Sequence, residues 1–415
     1  MLITPTPFHL FTNFAISMAS NWFLDKANEY LTETIRIRRH LHQHPELSFE
    51  EHQTAAFIEQ TLQSYGLQTI RIGTTGVIAL IEGKNDNGKT LALRADIDAL
   101  PIVESTDRSY RSLQNGIMHA CGHDVHTASL VSVARILHET KDRWNGKVKC
   151  IFQPAEEKFP GGASVLIKEG VLQNPAPEVI VGQHVFPELE AGKLGFKPGP
   201  FMASADEMYI TVQGKGGHGA MPHTTRDTIL IASHIIVALQ QVVSRNNNPL
   251  TPSVLTIGKI QSVGGATNII PNEVNIEGTF RTFDEVWRKE AKQLIKNICH
   301  GVANAMGGNA VVDIKDGYPV LVNDQKITAQ MKDWAIELLG KDKVIDLPMR
   351  TTAEDFAYYS QVMPACFYRL GTAKPGHEGE KRVHTPDFDI DENALVTGVA
   401  FMCFASINYC GGLLN

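Results

Sequence analysis

No run of lysine or arginine stands out in this chain, and no internal repeat or low-complexity tract interrupts it. With a formal net charge of −7, nucleic acid and anionic membrane are poor partners for it. Beyond the N-terminal segment no stretch of about 20 apolar residues exists, so the pattern offers no membrane span. Cysteine is scarce: six residues, at 121, 150, 299, 366, 403 and 410, fall without the rhythm of a disulfide framework. Most sit in apolar runs, as buried thiols do, and a reducing, cytoplasmic setting is expected.

The first 20 residues lack any Lys or Arg. A secretory leader needs a basic start before its apolar stretch, and Pro5 and Pro7 interrupt this one. Ala15 to Ser20 does resemble a cleavage site, and Met18 could equally be the start. Residues 1–24 are therefore read as an N-terminal extension, either a tail or a processed segment.

What is present suits a packed core: 415 residues, 43% hydrophobic and 20% charged, are too many for one ordinary domain and predict two. Apolar spacing predicts a helix over Asp25–His42, stopped at His44-Pro45, and a second over Thr54–Tyr65. Short β-branched runs follow at Leu67–Ile72, Val77–Glu82 and Thr90–Arg94, then a helix from Thr127 to His138, then strands at Lys147–Phe152 and Val179–His184. This alternation predicts an α/β fold, a large mostly parallel sheet with helices on both faces. From Met202 the order becomes strand, helix, strand, strand, helix, strand, a ferredoxin-like α+β unit. The expected domains are a catalytic one from 25–201 and 319–415, interrupted by an inserted one over 202–318.

Four segments carry chemistry. Met118-His-Ala-Cys-Gly-His-Asp-Val-His126 crowds Cys121, His119, His123 and His126 around a glycine, and thiolate and imidazole suit zinc-like ions. Phe152-Gln-Pro-Ala-Glu-Glu157 puts adjacent carboxylates after a strand, where one can bind a cation and the other move a proton. His184 closes an apolar run, and His384 lies in Val383-His-Thr-Pro-Asp-Phe-Asp-Ile-Asp-Glu392. Taken singly, each also reads as a buried or solvated residue with no such role. All fall at strand ends or adjacent loops, where sites of open α/β sheets collect.

These segments, with Arg39-His-Leu-His-Gln-His-Pro-Glu46, Leu93-Arg-Ala-Asp-Ile-Asp-Ala-Leu-Pro101 and Gly214-Lys-Gly-Gly-His-Gly219, make the chain resemble the N-acyl-amino-acid amidohydrolases. This is the hippurate and auxin-conjugate hydrolase branch of the aminoacylase and carboxypeptidase metallopeptidases. The resemblance runs from about Asp25 to the C-terminus. It implies Cys121, His123, Glu157, His184 and His384 as ligands of two divalent ions (zinc, manganese, cobalt or nickel), with the Cys121 thiolate bridging. It implies Glu156 as catalytic base and acid, and the inserted domain as a lid and dimerisation domain. His218 would assist the partner's site in a homodimer, and Asn268 and Arg281 would hold the substrate's α-carboxylate. Asp96 and Asp98 stand where the wider family has His-x-Asp, and either could orient a ligand; Glu354 has a supporting role at most. The substrate implied is an N-acyl amino acid. Three alternatives stay open: a dipeptidase or carboxypeptidase of the same superfamily, a metal-free cysteine amidase with Cys121 as nucleophile beside His123 or His126, and a non-catalytic binding member, against which the intact Glu156 argues.

Overall fold

The β-branched runs assemble into one eight-stranded sheet in a computed structural model, which describes residues 21–414. From edge to edge the strands are Thr69–Ile72, Gly76–Glu82, Lys147–Gln153, Thr90–Asp96, Val179–Glu190, Ala365–Ala373, Leu194–Phe196 and Val344–Asp346. Thr90–Asp96 runs parallel to both neighbours, and Val179–Glu190 is parallel to Ala365–Ala373. Antiparallel pairing enters with the hairpin at the first edge and where Ala365–Ala373 meets Leu194–Phe196. The sheet is thus mainly parallel. Thr90–Asp96 and Ala365–Ala373 are buried at every position, so neither has the solvent-facing side of a half-buried strand.

By contact the chain forms two compact units: one is built from the stretches ending at residue 199, 323–348 and 358 onward, the other from 200–322 and 349–357. In the first, the helix His123–Glu139 packs on Thr90–Asp96, Leu31–Gln43 and Ala394–Tyr409. All but three of its residues are buried, so it has no polar face for a periodicity argument to detect. It begins four residues before the expected Thr127, because Gly122 at φ +80° turns the chain into it. The helix expected over Asp25–His42 is divided at Tyr30, and its second part, Leu31–Gln43, stops at His44 as the following proline requires. Of the expected N-terminal extension only residues 21–24 are described. They lie in a helix in which Phe23 is buried, edge-on to Phe404. The leader and start-site readings lie outside the described residues.

The second unit holds a four-stranded antiparallel sheet in the order Ser253–Ser262, Glu273–Thr282, Asp206–Gln213, Asn309–Lys315. The helices Thr228–Gln241 and Glu285–Ala305 close its core through Ile231, Ile235, Leu239, Ala291, Ile295 and Cys299. Asp227 and Asp284 cap their N-termini through side-chain oxygens.

Candidate metal centre

Strand register brings the chemistry to one edge of the large sheet. Asp96, the last residue of its strand, lies opposite Gln153, and Arg94 lies opposite Gly182. The loops after Asp96 and Gln153 therefore leave the sheet side by side, with His184 two residues beyond Gly182 on the next strand. All three strands are buried here, so the polar groups at this edge must satisfy one another.

The Cys121 loop enters from the helix side. Gly122 takes a left-handed conformation, and a Cβ there would meet the Val185 side chain at 2.6 Å. Only glycine lets Cys121 and His123 approach this strand so closely. The Cys121 Sγ then lies 3.5 Å from His184 Nε2. His184 Nδ1 faces the Val185 carbonyl at 2.8 Å, and His123 Nδ1 faces the carbonyl and the carboxylate of Asp98 at 2.9 and 3.1 Å. Both rings are thus turned by their Nδ1 contacts, so that Nε2 is the nitrogen that faces a cation and would ligate it once deprotonated.

On the third side, Pro154-Ala-Glu-Glu157 folds back sharply. Ala155 sits at φ +50° and its carbonyl accepts from Gly162 N at 2.9 Å. A Cβ on Gly162 would fall 1.8 Å from the Pro154 carbonyl, so this closure also requires glycine. Glu157 N donates to Asp98 Oδ2 at 3.0 Å. His384, another left-handed residue at φ +62°, donates its backbone N–H to Ala120 O at 2.7 Å. Its ring Nε2 lies 3.1 Å from Glu157 Oε1. Holding non-glycine residues in this region costs about 1–3 kcal/mol each, and such strain concentrates at functional sites.

Ligand-type atoms of Cys121, His123 and His184 all lie within 4.8 Å of one another, as do those of Cys121, Glu157 and His384, and those of His123, Glu156 and Glu157. The three groups share members, so the five expected ligands and Glu156 form one continuous cluster. Burial raises the Cys121 thiol well above its ordinary range, and the Glu157, Glu156 and Asp96 carboxylates raise it further. Burial alone would lower His123, but Asp96 and Asp98 outweigh it and push the ring up to about 10. His184 is held well below its usual range by burial, with Arg369 and His126 adding to it, so it is a neutral donor. His123 Nε2, buried and facing the cluster, has no hydrogen-bond partner among the described residues. Mixed S, N and O donors, excess negative charge and an orphaned nitrogen fit divalent cations well.

The structure also separates residues that the sequence left unsorted. Asp98 touches two members of the cluster, His123 and the Glu157 amide, while its Oδ2 accepts from Ser48 at 2.6 Å. Asp96 holds His126 Nδ1 at 2.5 Å, and His126 Nε2 accepts from Val185 N at 2.8 Å. Both nitrogens of His126 are committed, so it braces the strand beside His184 and has no lone pair left for a metal. The dense histidine spacing flagged this segment without distinguishing its members. His218, Asn268, Arg281 and Glu354 all lie in the second unit. His218 and Asn268 are exposed on paired short strands and loops, where Gly219 N donates to Asn268 O at 2.8 Å. Arg281 Nη1 donates to Thr351 O at 3.0 Å, and the buried Glu354 accepts from Phe356 N at 3.1 Å.

Comparison with known proteins places these features in context. The family described as Peptidase family M20/M25/M40 matches residues 92–406. The chain is 45% identical over 372 residues to N-acetyl-L-cysteine deacetylase of Bacillus subtilis, covering 89% of this chain and 86% of that protein. It is 44% identical over 297 residues to N-acyl-L-amino acid amidohydrolase of Geobacillus stearothermophilus, covering 71% and 79%. Among solved structures it resembles the Bacillus subtilis YXEP protein, a dinuclear metal-binding peptidase of the M20 family, with TM-score 0.78 and 33% identity over 92% of this chain and 99% of that one.

Proposed function

The chain belongs to peptidase family M20/M25/M40, and on that premise we propose that it hydrolyses the amide bond of N-acyl amino acids, releasing a carboxylic acid and a free amino acid. One observation carries this reading: the five ligand-type side chains converge beside Glu156, with His123 and His184 held by their other ring nitrogens. Cys121, His123, Glu157, His184 and His384 would hold two divalent ions of the zinc, manganese, cobalt or nickel type. When bound, such ions lower the pKa of water and polarise a carbonyl. Glu156 takes the proton from the attacking water and delivers it to the departing amino-acid nitrogen. Asp98 keeps His123 and Glu157 in place while this happens. A thiol raised by burial and three carboxylates is the opposite of an activated nucleophile, which disfavours a cysteine amidase. All six cysteines are buried and unpaired, in keeping with a cytoplasmic enzyme.

The test is a panel of N-acyl amino acids and dipeptides assayed by released amino acid, with and without chelation and metal restoration. Chelator-sensitive hydrolysis of at least one N-acyl amino acid, faster than any dipeptide, is expected; preference for dipeptides would overturn the substrate class.

The reading extends to a homodimer in which the second unit serves as lid and dimerisation domain, His218 assists the partner's oxyanion, and Asn268 and Arg281 hold the substrate carboxylate. Supporting it are the exposed edge strand Ser253–Ser262, with Val254 and Ile260 outward, and exposed Leu230 and Val237 on the helix Thr228–Gln241. His218→Ala and Glu156→Gln proteins should each be nearly inactive. After verified subunit exchange, about a quarter of wild-type activity should return, because half the dimers are mixed and each has one intact site. No recovery would place His218 in its own subunit's site or in none.

A further inference from the structure

We propose that Glu51 is a positioning residue that sets the catalytic base, an inference resting on the assignment of Glu156 above. Glu51 comes from the segment following His44-Pro45, and its side chain is 0% exposed. One carboxylate oxygen accepts from the backbone N–H of Phe49 at 2.9 Å and of Ala155 at 2.8 Å. The other accepts from the Thr75 hydroxyl at 2.6 Å. Phe49 and Ala155 are both left-handed non-glycine residues, at φ +69° and +50°. A single buried oxygen thus holds two backbone amides in a conformation their side chains disfavour.

The second of those amides directly precedes Glu156. Ala155 is gripped at both ends, its N–H by Glu51 and its carbonyl by Gly162 N at 2.9 Å. On the far side of Glu156, the Glu157 amide is held separately by Asp98, which Ser48 grips in turn. The base therefore stands between two pinned peptides, one answering to Glu51 and the other to Asp98. Removing Glu51 frees Ala155 to relax out of the left-handed region, which swings the Glu156 side chain. The Asp98 grip on Glu157 remains, so the metal ligand stays in place. The loss falls on proton transfer and spares metal binding.

The test compares metal-loaded Glu51→Ala, Glu51→Gln and the double variant Glu51→Ala/Ala155→Gly by kcat, KM and metal content. Glu51→Ala should lower kcat about 10²-fold, the scale of a small misplacement, while KM stays within about 3-fold and two ions remain bound. Glu51→Gln, whose carbonyl oxygen still accepts both amides, should keep kcat within about 5-fold. Glycine at 155 takes the positive φ without a Cβ clash and should recover about tenfold of the loss. If the alanine variant does not fold, Glu51→Asp withdraws the carboxylate by one methylene and should show the same split. Unchanged kcat in a folded Glu51→Ala or Glu51→Asp protein overturns the proposal, as does metal loss in step with kcat, or a glutamine variant as impaired as alanine. Full activity in Glu156→Gln would instead overturn the reading on which it rests.

Discussion

Replacing Glu156 with glutamine is expected to lower kcat by about 10²–10⁴-fold, the range for a general acid–base group, with the protein folded and its ions bound. Glutamine keeps the shape of the side chain but cannot take a proton from water or return one to the leaving nitrogen. The neighbouring substitution, Glu157→Gln, should behave differently. Glu157 sits in the groups formed with Cys121 and His384 and with His123, so weakening its negative charge should lower metal occupancy, and added metal should restore part of the activity. Metal analysis of the two purified variants separates the roles. A Glu156 variant that loses its ions, or a Glu157 variant that keeps both with no rate recovery, would reverse the assignment.

Cys121→Ser is expected to be the most damaging ligand substitution, with at least one ion lost and activity falling with it. The cause is electrostatic. In the absence of a cation the thiol is held protonated by burial and by the Glu157, Glu156 and Asp96 carboxylates around it. A thiolate survives there only when positive charge lies against it, and binding and ionisation are therefore coupled. A serine hydroxyl ionises far less readily and is a harder, weaker donor. Elemental analysis after gel filtration is the measurement, and full occupancy in the serine variant would remove Cys121 from the ligand set. Ser at Cys150, Cys299, Cys366, Cys403 or Cys410 should leave metal content untouched, since none belongs to a ligand group among the described residues.

Much of this centre is legible from residue order. Glu156 and Glu157 adjoin a strand that the β-branched run Lys147–Phe152 announces, and Cys121 and His123 flank a glycine at a helix start. Chemistry of that kind is local, so it survives in the one-dimensional string. Short β-branched runs alternating with helical spacing also mark the mainly parallel sheet. Periodicity fails at the helix His123–Glu139, where buried polar side chains occupy the first turn and the pattern starts late.

The residues by themselves pointed to the candidate ligands, a candidate base and the alternation that carries them to one sheet edge. Only the tertiary structure decided which nitrogen each histidine presents: Asp98, 25 residues away, turns His123, and the carbonyl of the adjacent Val185 turns His184. It likewise committed both nitrogens of His126 and brought Glu51 to Ala155. A side chain's type and spacing state what it can bind. The direction of its lone pair is set by hydrogen bonds that exist only once the chain has folded.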